Sequence, residues 1–272
     1  MSANVHPELL HYEVHGERGP YVLLVHGFLS SRAQWMPNID ALSAFARPVV
    51  VELFGHGRSP SPQGPPPYTL AGYVEQFEHI REAVGAERWL VVGQSLGAAL
   101  TLRYALDRPG SVLAHVFTNS NSALAEEGWA ERVRPPMEAQ ARRLEVDGRR
   151  VLDDHPLNPA RGARLPADVR AAFIEDSGLL SLRGVANTGL HTVPDSSSRG
   201  RVTENHVPTL LVVGEREERF TGHRRYAEAR MPSLAVVGLD AGHAVNIEAA
   251  DAFNAAVADF CAKHIDSQGA NA

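Results

Sequence analysis

The chain has 272 residues, 44% of them hydrophobic, and its formal net charge at pH 7 is −6. This length and apolar content suit one large α/β domain with an insertion better than two independent domains. The acidic balance leaves no basic patch, so nucleic acid and anionic membranes are not expected partners, whereas a small molecule is. No apolar run approaches membrane-spanning length, which predicts a soluble, cytoplasmic protein.

Cysteine and histidine usage bears on metals and cofactors. Cys261 is the only cysteine, which excludes an intramolecular disulfide and a cysteine-based metal cluster. The sequence contains no H-E-x-x-H motif of a zinc-binding helix. We therefore expect neither a metal ion nor a cofactor. The oligomeric state stays open at this point.

The N-terminal third alternates apolar runs with amphipathic runs, a pattern that predicts strands alternating with helices. The continuous apolar run at 21–25 is typical of a strand buried on both faces. Five prolines between residues 60 and 67 exclude regular structure there and predict a surface loop. In chain order, we predict an edge strand at 10–14, a strand at 21–25, a helix around 33–46, a strand at 48–53 and a helix from its N-cap, Thr69, to 84.

The middle of the chain interrupts this alternation. Region 123–201 is helix-like, rich in arginine and acidic residues, and broken by prolines such as Pro135 and Pro136. We interpret it as an inserted helical cap between two core segments, 1–122 and 202–272. The core segments contain predicted strands at 89–92, 112–118, 209–213 and 234–238 and predicted helices at 96–106, 224–231 and 247–264. The fold class that follows is α/β, with a mostly parallel, doubly wound sheet.

The most informative motif is G-x-S-x-G, formed by residues 93–97. It lies between a predicted strand and a predicted helix, so Ser95 occupies the turn that joins them. Glycines two residues either side of the serine allow so tight a turn that the hydroxyl is pushed into the open. The helix N-terminus lies beneath it, and the amide of Leu96 is free to receive a developing oxyanion. Ser95 is therefore the candidate nucleophile.

A serine hydroxyl needs a base within hydrogen-bond reach, and the base needs an acid that fixes its tautomer. His243 and Glu217 both follow predicted strands, and reacting groups of open α/β sheets gather beyond the carboxyl ends of the strands. The order serine, acid, histidine along the chain is the one expected for a nucleophile on such a turn. Ser95, His243 and Glu217 are thus a candidate triad.

Several segments besides the serine motif carry a resemblance to a known family. They read HGFLSS at 26–31, GHGRS at 55–59, GERE at 214–217 and AGH at 241–243. With them the chain resembles the α/β-hydrolase superfamily of the serine-nucleophile type and is similar to its MenH-like members. Asn119 and Ser120 are similar to residues of enol-lactonases and carbon–carbon bond hydrolases.

The resemblance implies an α/β-hydrolase fold and roles for five residues. Ser95 would be the nucleophile and His243 the base. The backbone amides of Phe28 and Leu96 would form the oxyanion hole. The acid would be Glu217, the third residue after a strand-ending glycine.

Two positions depart from the family pattern. The acid is usually Asp, whereas this chain has Glu217, with Glu218 beside it as a rival. Glu126 is a further alternative acid, as in some lactonases of the superfamily. MenH-like enzymes carry an arginine four residues after the serine to bind a substrate carboxylate, but this chain has Ala99 there. The missing arginine favours a hydrolase over a MenH-like synthase.

Three other residues are candidates for lining the substrate pocket: His26, Trp35 and Trp129. Each has a structural alternative, because a histidine in a His-Gly turn more often holds loop geometry and aromatic residues more often pack in a core.

Taken together, the motifs predict a serine hydrolase that cleaves a small, fairly apolar ester or lactone through an acyl-enzyme. The alternative is a carbon–carbon bond hydrolase or a MenH-like lyase that uses the same triad to move protons. A ligand receptor built on a hydrolase scaffold is a third possibility, which the complete set of catalytic residues argues against.

Overall fold

A seven-stranded sheet forms the centre of the computed structural model, which describes residues 8–162 and 165–269. The strands are β1 Tyr12–Val14, β2 Tyr21–Val25, β3 Arg47–Val51, β4 Trp89–Gly93, β5 Val112–Thr118, β6 Thr209–Gly214 and β7 Leu234–Leu239. Their spatial order is β1-β3-β2-β4-β5-β6-β7. Only the edge strand β1 runs antiparallel to its neighbour, and the other pairs are parallel.

Helices connect the strands. They are α1 Met36–Ser43, α2 Leu70–Ala83, α3 Leu96–Asp107, α4 Trp129–Asp147, α5 Arg150–Asp153, α6 Ala167–Ser177, α7 Leu182–His191, α8 Thr221–Arg230, α9 Val245–Glu248 and α10 Ala250–Gly269. No helix in the described ranges has the length and apolarity needed to cross a membrane.

Both faces of the sheet are buried, because alternate residues of each central strand point to opposite sides. In β2, Leu23 and Val25 belong to the core cluster that includes α2 and α3. Val22 and Leu24 belong to the cluster on the other face, with α1 and α10. Apolar burial on two faces explains why the strand is a continuous apolar run. The predicted mostly parallel, doubly wound sheet is confirmed.

Several predicted elements differ in extent from the observed ones, among them the first helix and the edge strand. The helix expected at 33–46 is a 3₁₀ turn at Arg32–Trp35 followed by α1 at Met36–Ser43. Pro37 lies in the first turn of α1, where a missing amide hydrogen is tolerated, so the α-helix starts there. The edge strand expected at 10–14 is only three residues long, and Leu10 instead packs into the core.

Helices α4 to α7 lie between β5 and β6, within the region that we interpret as a cap. The prediction that Pro135 and Pro136 break the helix there was wrong, since both lie inside α4. A proline inside a helix removes a backbone hydrogen bond. Helix α4 packs along α7, and this packing stabilises it. The expectation that prolines break a helix rests on local sequence alone and leaves such packing out.

Helices α6 and α7 both contact the core. Asp176 of α6 is 2% exposed, and its carboxylate accepts hydrogen bonds from Ser31 (2.8 Å) and Arg58 (3.1 Å). Gly184 of α7 lies against Gly55 so closely that a Cβ on either glycine would come within 3.0 Å of the other's backbone. Helices α6 and α7 therefore rest on the loops that follow β2 and β3.

Candidate active site

Ser95 lies at the turn between β4 and α3 in a backbone conformation that is rare for a residue with a side chain. Its φ is 55° and its ψ is −116°. A Cβ at Gly93 would lie within 3.0 Å of Gly97, and a Cβ at Gly97 would lie within 3.0 Å of the Val25 carbonyl. The two glycines of the motif are thus required by close backbone approach, and the strained turn directs the Ser95 hydroxyl into a cavity.

The hydroxyl of Ser95 is 2.9 Å from Nε2 of His243, which follows β7. Nδ1 of His243 is 2.8 Å from Oε2 of Glu217, which follows β6. Because a carboxylate can only accept, Nδ1 carries the proton and Nε2 of the neutral ring is left as the acceptor for the serine proton. The three sequence-predicted residues are therefore brought together in hydrogen-bonding order.

The carboxylate of Glu217 is held by three further donors. Asn119, at the end of β5, donates to Oε2 at 3.0 Å, while Asn121 (3.1 Å) and Arg219 (2.8 Å) donate to Oε1. Burial alone would raise the pKa of Glu217, but the hydrogen bond and charge of His243, together with the bonds from Arg219 and Asn119, outweigh it and lower the pKa to about 2. Glu217 is consequently ionised at neutral pH.

The loop after β2 carries the amide of Phe28 beside the serine. A Cβ on Gly27 would lie 2.9 Å from that of Ser95, so this loop touches the turn. Within the described residues, neither the amide of Phe28 nor that of Leu96 donates to a protein acceptor. Both are free to bind an oxygen that develops negative charge.

Two buried histidines shape this loop. Nε2 of His56 accepts from the amide of Leu29 at 3.2 Å, and Nε2 of His26 accepts from the amide of Leu53 at 3.0 Å. Burial lowers the pKa of His26 to about 4 and that of His56 to about 3, so both rings are neutral. His26 is fully buried and acts on the site through the loop.

The serine and histidine open into a cavity of about 480 Å³. The core contributes Gly27, Phe28, Ser30 and Gln34 to its wall. Another part of the wall belongs to described residues of the insertion between 156 and 162 and to residue 165. These residues are Pro156, Leu157, Asn158, Pro159, Arg161, Gly162 and Leu165.

Charged groups at the cavity are already paired. Arg161 lies 3.5 Å from Asp154, and Arg219 binds Glu217. Glu248 accepts from the amide of Gly242, the residue before His243, at 3.0 Å. The described residues contain no cluster of histidine, cysteine or acidic side chains that could hold a metal ion.

Five of the remaining sequence candidates lie away from the reacting groups. Glu218 is exposed, and Glu126 is 68% exposed and paired with Arg199. Trp35 and Trp129 are absent from the described residues that line the cavity, and so is His26. Trp35 is fully buried in the core beneath the sheet, and Trp129 donates to the Val193 carbonyl. The expectation that these aromatic rings line the pocket was wrong, because each is held by packing or hydrogen bonding elsewhere.

Sequence reasoning missed Asn121 and Arg219 as partners of the acid, and Ser30 and Gln34 as cavity residues. Their positions carry a weak signal, since Asn121 follows the carboxyl end of β5 and lies at the same sheet edge as the triad. Arg219 follows Glu217 by two residues, a spacing with no motif attached to it.

Comparison with known proteins places this geometry in a family. Residues 20–250 match the family model described as the alpha/beta hydrolase fold. The chain is 30% identical to a predicted carbamate hydrolase, RutD, of Variovorax paradoxus, over 93% of this chain and 96% of that protein. It is 26% identical to a predicted 2-succinyl-6-hydroxy-2,4-cyclohexadiene-1-carboxylate synthase of Bacillus subtilis, over 88% of this chain and 89% of that protein.

Solved structures give the same result. The enol-lactonase from Burkholderia xenovorans superposes with a TM-score of 0.79 and 25% identity, covering 93% of this chain and 96% of that chain. MenH from S. aureus superposes with a TM-score of 0.82 at 19% identity, a likeness of fold that covers 93% of this chain and 98% of that chain. The chain belongs to the alpha/beta hydrolase fold family and is an enzyme of that superfamily.

Proposed function

We propose that the protein hydrolyses a small, fairly apolar ester or lactone through an acyl-enzyme on Ser95. The observation that carries the proposal is the continuous chain of hydrogen bonds from Ser95 through His243 to Glu217, with separations of 2.9 Å and 2.8 Å. Such a chain raises the nucleophilicity of a hydroxyl that is otherwise a weak nucleophile at neutral pH.

In the first half of the reaction, Ser95 Oγ attacks the substrate carbonyl while His243 Nε2 takes the hydroxyl proton. The amides of Phe28 and Leu96 stabilise the oxyanion of the tetrahedral intermediate, and Glu217 stabilises the imidazolium. The intermediate collapses, and the leaving alkoxide receives the proton from His243. The product of this half is an ester of Ser95 and a free alcohol.

In the second half, a water molecule attacks the Ser95 ester and gives a proton to His243. Collapse of the second tetrahedral intermediate returns that proton to the serine oxygen and releases the carboxylic acid. A lactone follows the same path, except that the alcohol and the acid belong to one product molecule.

The cavity wall supports an apolar substrate. Phe28, Leu157 and Leu165 contribute apolar surface, and Ala99 replaces the arginine that MenH-like enzymes place behind the nucleophile. Both arginines at the cavity are paired with carboxylates. A dianionic substrate would therefore lose its hydration on binding and gain few favourable charge interactions in exchange.

The second candidate is a carbon–carbon bond hydrolase or lyase that uses the same residues to move protons. The likeness to the synthase of Bacillus subtilis supports this candidate, whereas the likeness to the enol-lactonase supports the lactone of the first proposal. The name of the Variovorax relative adds a carbamate to the substrates worth testing.

The experiment is a panel of neutral aryl esters, lactones, a carbamate and a vinylogous 1,5-diketone, measured with wild type and Ser95→Ala. We expect the esters or lactones to turn over fastest and Ser95→Ala to lose activity on them. Exclusive turnover of the diketone would establish the second candidate. Ligand binding with no turnover of any panel member would establish a receptor.

A further inference from the structure

The core side of the cavity contains a polar patch that the hydrolytic steps do not use. Ser30 and Gln34 line the cavity, yet they are only 5% and 4% exposed. Ser30 Oγ lies 3.0 Å from Gln34 Oε1. Buried polar groups in a catalytic cavity are costly unless they bind something, so their hydrogen-bonding directions bear on the substrate.

A chain of buried side-chain amides sets those directions, and it ends on backbone carbonyls that can only accept. Asn254 donates to the Pro37 carbonyl, so its oxygen faces Asn38 and accepts from it at 2.8 Å. Asn38 also donates to the carbonyl of Asn246. The amide oxygen of Asn38 then accepts from Asn246 at 3.0 Å.

The same reasoning fixes the orientation of the next two side-chain amides, those of Asn246 and Gln34, and Gln34 lines the cavity. The amide nitrogen of Asn246 also donates to the Gln34 carbonyl at 2.7 Å, which leaves the amide oxygen of Asn246 to accept from Gln34 Nε2 at 2.8 Å. Gln34 Oε1 therefore faces Ser30. Reversing Gln34 would place its oxygen against the oxygen of Asn246, and reversing the whole chain would place three amide oxygens against carbonyl oxygens.

The direction of the chain determines what the Ser30 hydroxyl can do. A hydroxyl has one proton and two lone pairs, and Ser30 gives its proton to Gln34 Oε1. Across the described residues, no group donates to Ser30 Oγ. At the cavity surface this oxygen is therefore an acceptor.

We propose that Ser30 Oγ is a specificity-determining subsite that binds a hydrogen-bond donor of the substrate, an O–H or N–H group. This inference rests on the proposed function, since it names the class of ester or lactone that the same cavity takes. Phe28, Leu157 and Leu165 give the remaining wall apolar surface beside its paired charges, so the substrate carries one such donor on a fairly apolar body. An ether oxygen or a carboxylate at the same place would face an oxygen with no proton to share.

The position of Ser30 locates the donor relative to the reacting carbonyl. The amide of Ser30 donates to the Gly27 carbonyl at 3.2 Å, so Ser30 closes the turn that carries Phe28. Gly27 at the start of that turn touches Ser95. The donor group thus lies within a few bonds of the carbonyl that Ser95 attacks.

The test uses matched substrates in which a methyl group replaces the proton of the donor. They are phenyl hydroxyacetate against phenyl methoxyacetate, and phenyl 3-hydroxypropanoate against phenyl 3-methoxypropanoate. For at least one pair we expect wild-type kcat/KM to favour the hydroxy ester by about fivefold or more, the effect of one neutral hydrogen bond. In Ser30→Ala the preference should fall to roughly one, since alanine offers no acceptor.

Ser177→Ala is the matched control, because its hydroxyl bonds the Ile174 carbonyl in the insertion and does not line the cavity. It should keep the wild-type preference. Equal kcat/KM within both wild-type pairs, or a preference that survives in Ser30→Ala, would overturn the subsite.

Binding separates this result from failure of the hydrolase proposal. Calorimetry on Ser95→Ala should show tighter binding of the preferred hydroxy ester than of its methyl ether, and Ser95→Ala/Ser30→Ala should show no difference. Equal binding by Ser95→Ala would overturn the subsite. Selective binding without wild-type turnover would leave the subsite supported and refute only the hydrolase.

Discussion

At the scale of single residues, the candidate site differs from the family pattern in its acid, which is the glutamate Glu217 and not the shorter aspartate. Glu217 has one more rotatable bond than the usual aspartate, and fixing such a side chain costs conformational entropy. Asn119, Asn121 and Arg219 offset that cost by donating to both carboxylate oxygens. The glutamate can therefore reach His243 from the loop after β6 and still hold one geometry.

The first prediction concerns the identity of the acid. Glu217→Gln should lower kcat by roughly 10³-fold or more, because a carboxamide neither stabilises the imidazolium nor fixes the correct tautomer of His243. Steady-state kinetics on the fastest ester measures the effect. Glu218→Gln and Glu126→Gln are the controls and should stay within about twofold of wild type. A comparable loss at Glu126 would move the acid to the region after β5.

The second prediction ranks the residues that hold the acid. Asn119 is fully buried, and a hydrogen bond from it to a charged group is worth about 1.5–3 kcal/mol. Arg219 is 69% exposed, and an ion pair in such a position contributes about 0–1 kcal/mol. Asn119→Ala should therefore reduce kcat more than Arg219→Ala. The reverse order in the same assay would show that charge, rather than buried hydrogen bonding, holds Glu217.

At the scale of elements, local sequence patterns predicted the strands, turns and helices that local interactions determine. The strand, turn and helix around Ser95 followed from the spacing of two glycines and from apolar runs. The grouping of Ser95, His243 and Glu217 followed from residues at strand ends. The insertion was harder, since its helices are stabilised by one another: α4 keeps Pro135 and Pro136 because it packs along α7. Gln34 could not be predicted because its partner Asn246 is 212 residues away, and Ser30 could not because its role depends on Gln34.

The third prediction concerns the docking of α7. A Cβ on Gly184 would lie within 3.0 Å of the backbone of Gly55, so Gly184→Ala forces the insertion away from the core and should cost about 1–3 kcal/mol of unfolding free energy. Gly189 in the same helix meets only the flexible side chain of Met137. Gly189→Ala should be neutral or stabilise by up to about 1 kcal/mol. Urea unfolding of both variants measures the two changes in unfolding free energy. Equal changes for Gly184→Ala and Gly189→Ala would refute the tight docking of α7.

At the scale of the whole molecule, buried neutral histidines link stability to pH. Burial lowers the pKa of His26 to about 4, and those of His56 and His115 to about 3. Each side chain has a pKa near 6.5 when unfolded, so below that pH the unfolded chain binds more protons than the folded one. Their contribution to stability is complete above pH 6.5 and is lost as the pH falls towards 4 and then 3.

The fourth prediction follows from this linkage. The free energy of unfolding should fall between about pH 6 and pH 4, with a slope of up to about 1.4 kcal/mol per pH unit for each histidine. His115 stacks on Phe117 away from the candidate site, so His115→Phe should reduce that slope by one histidine's share. Denaturant titrations across this range measure it. An unchanged slope in His115→Phe would mean that the ring is not held neutral in the fold.

An acyl-enzyme on Ser95 is detected by the intact mass of the protein, followed by peptide mapping, after acid quenching of its reaction with an activated phenyl ester. We expect one acyl group on Ser95 in wild type, at a level set by the balance of acylation and deacylation, and none in a folded Ser95→Ala variant. Turnover of the ester with no acyl group on Ser95, or a Ser95→Ala variant that keeps more than about a tenth of wild-type kcat, would contradict an acyl-enzyme on Ser95.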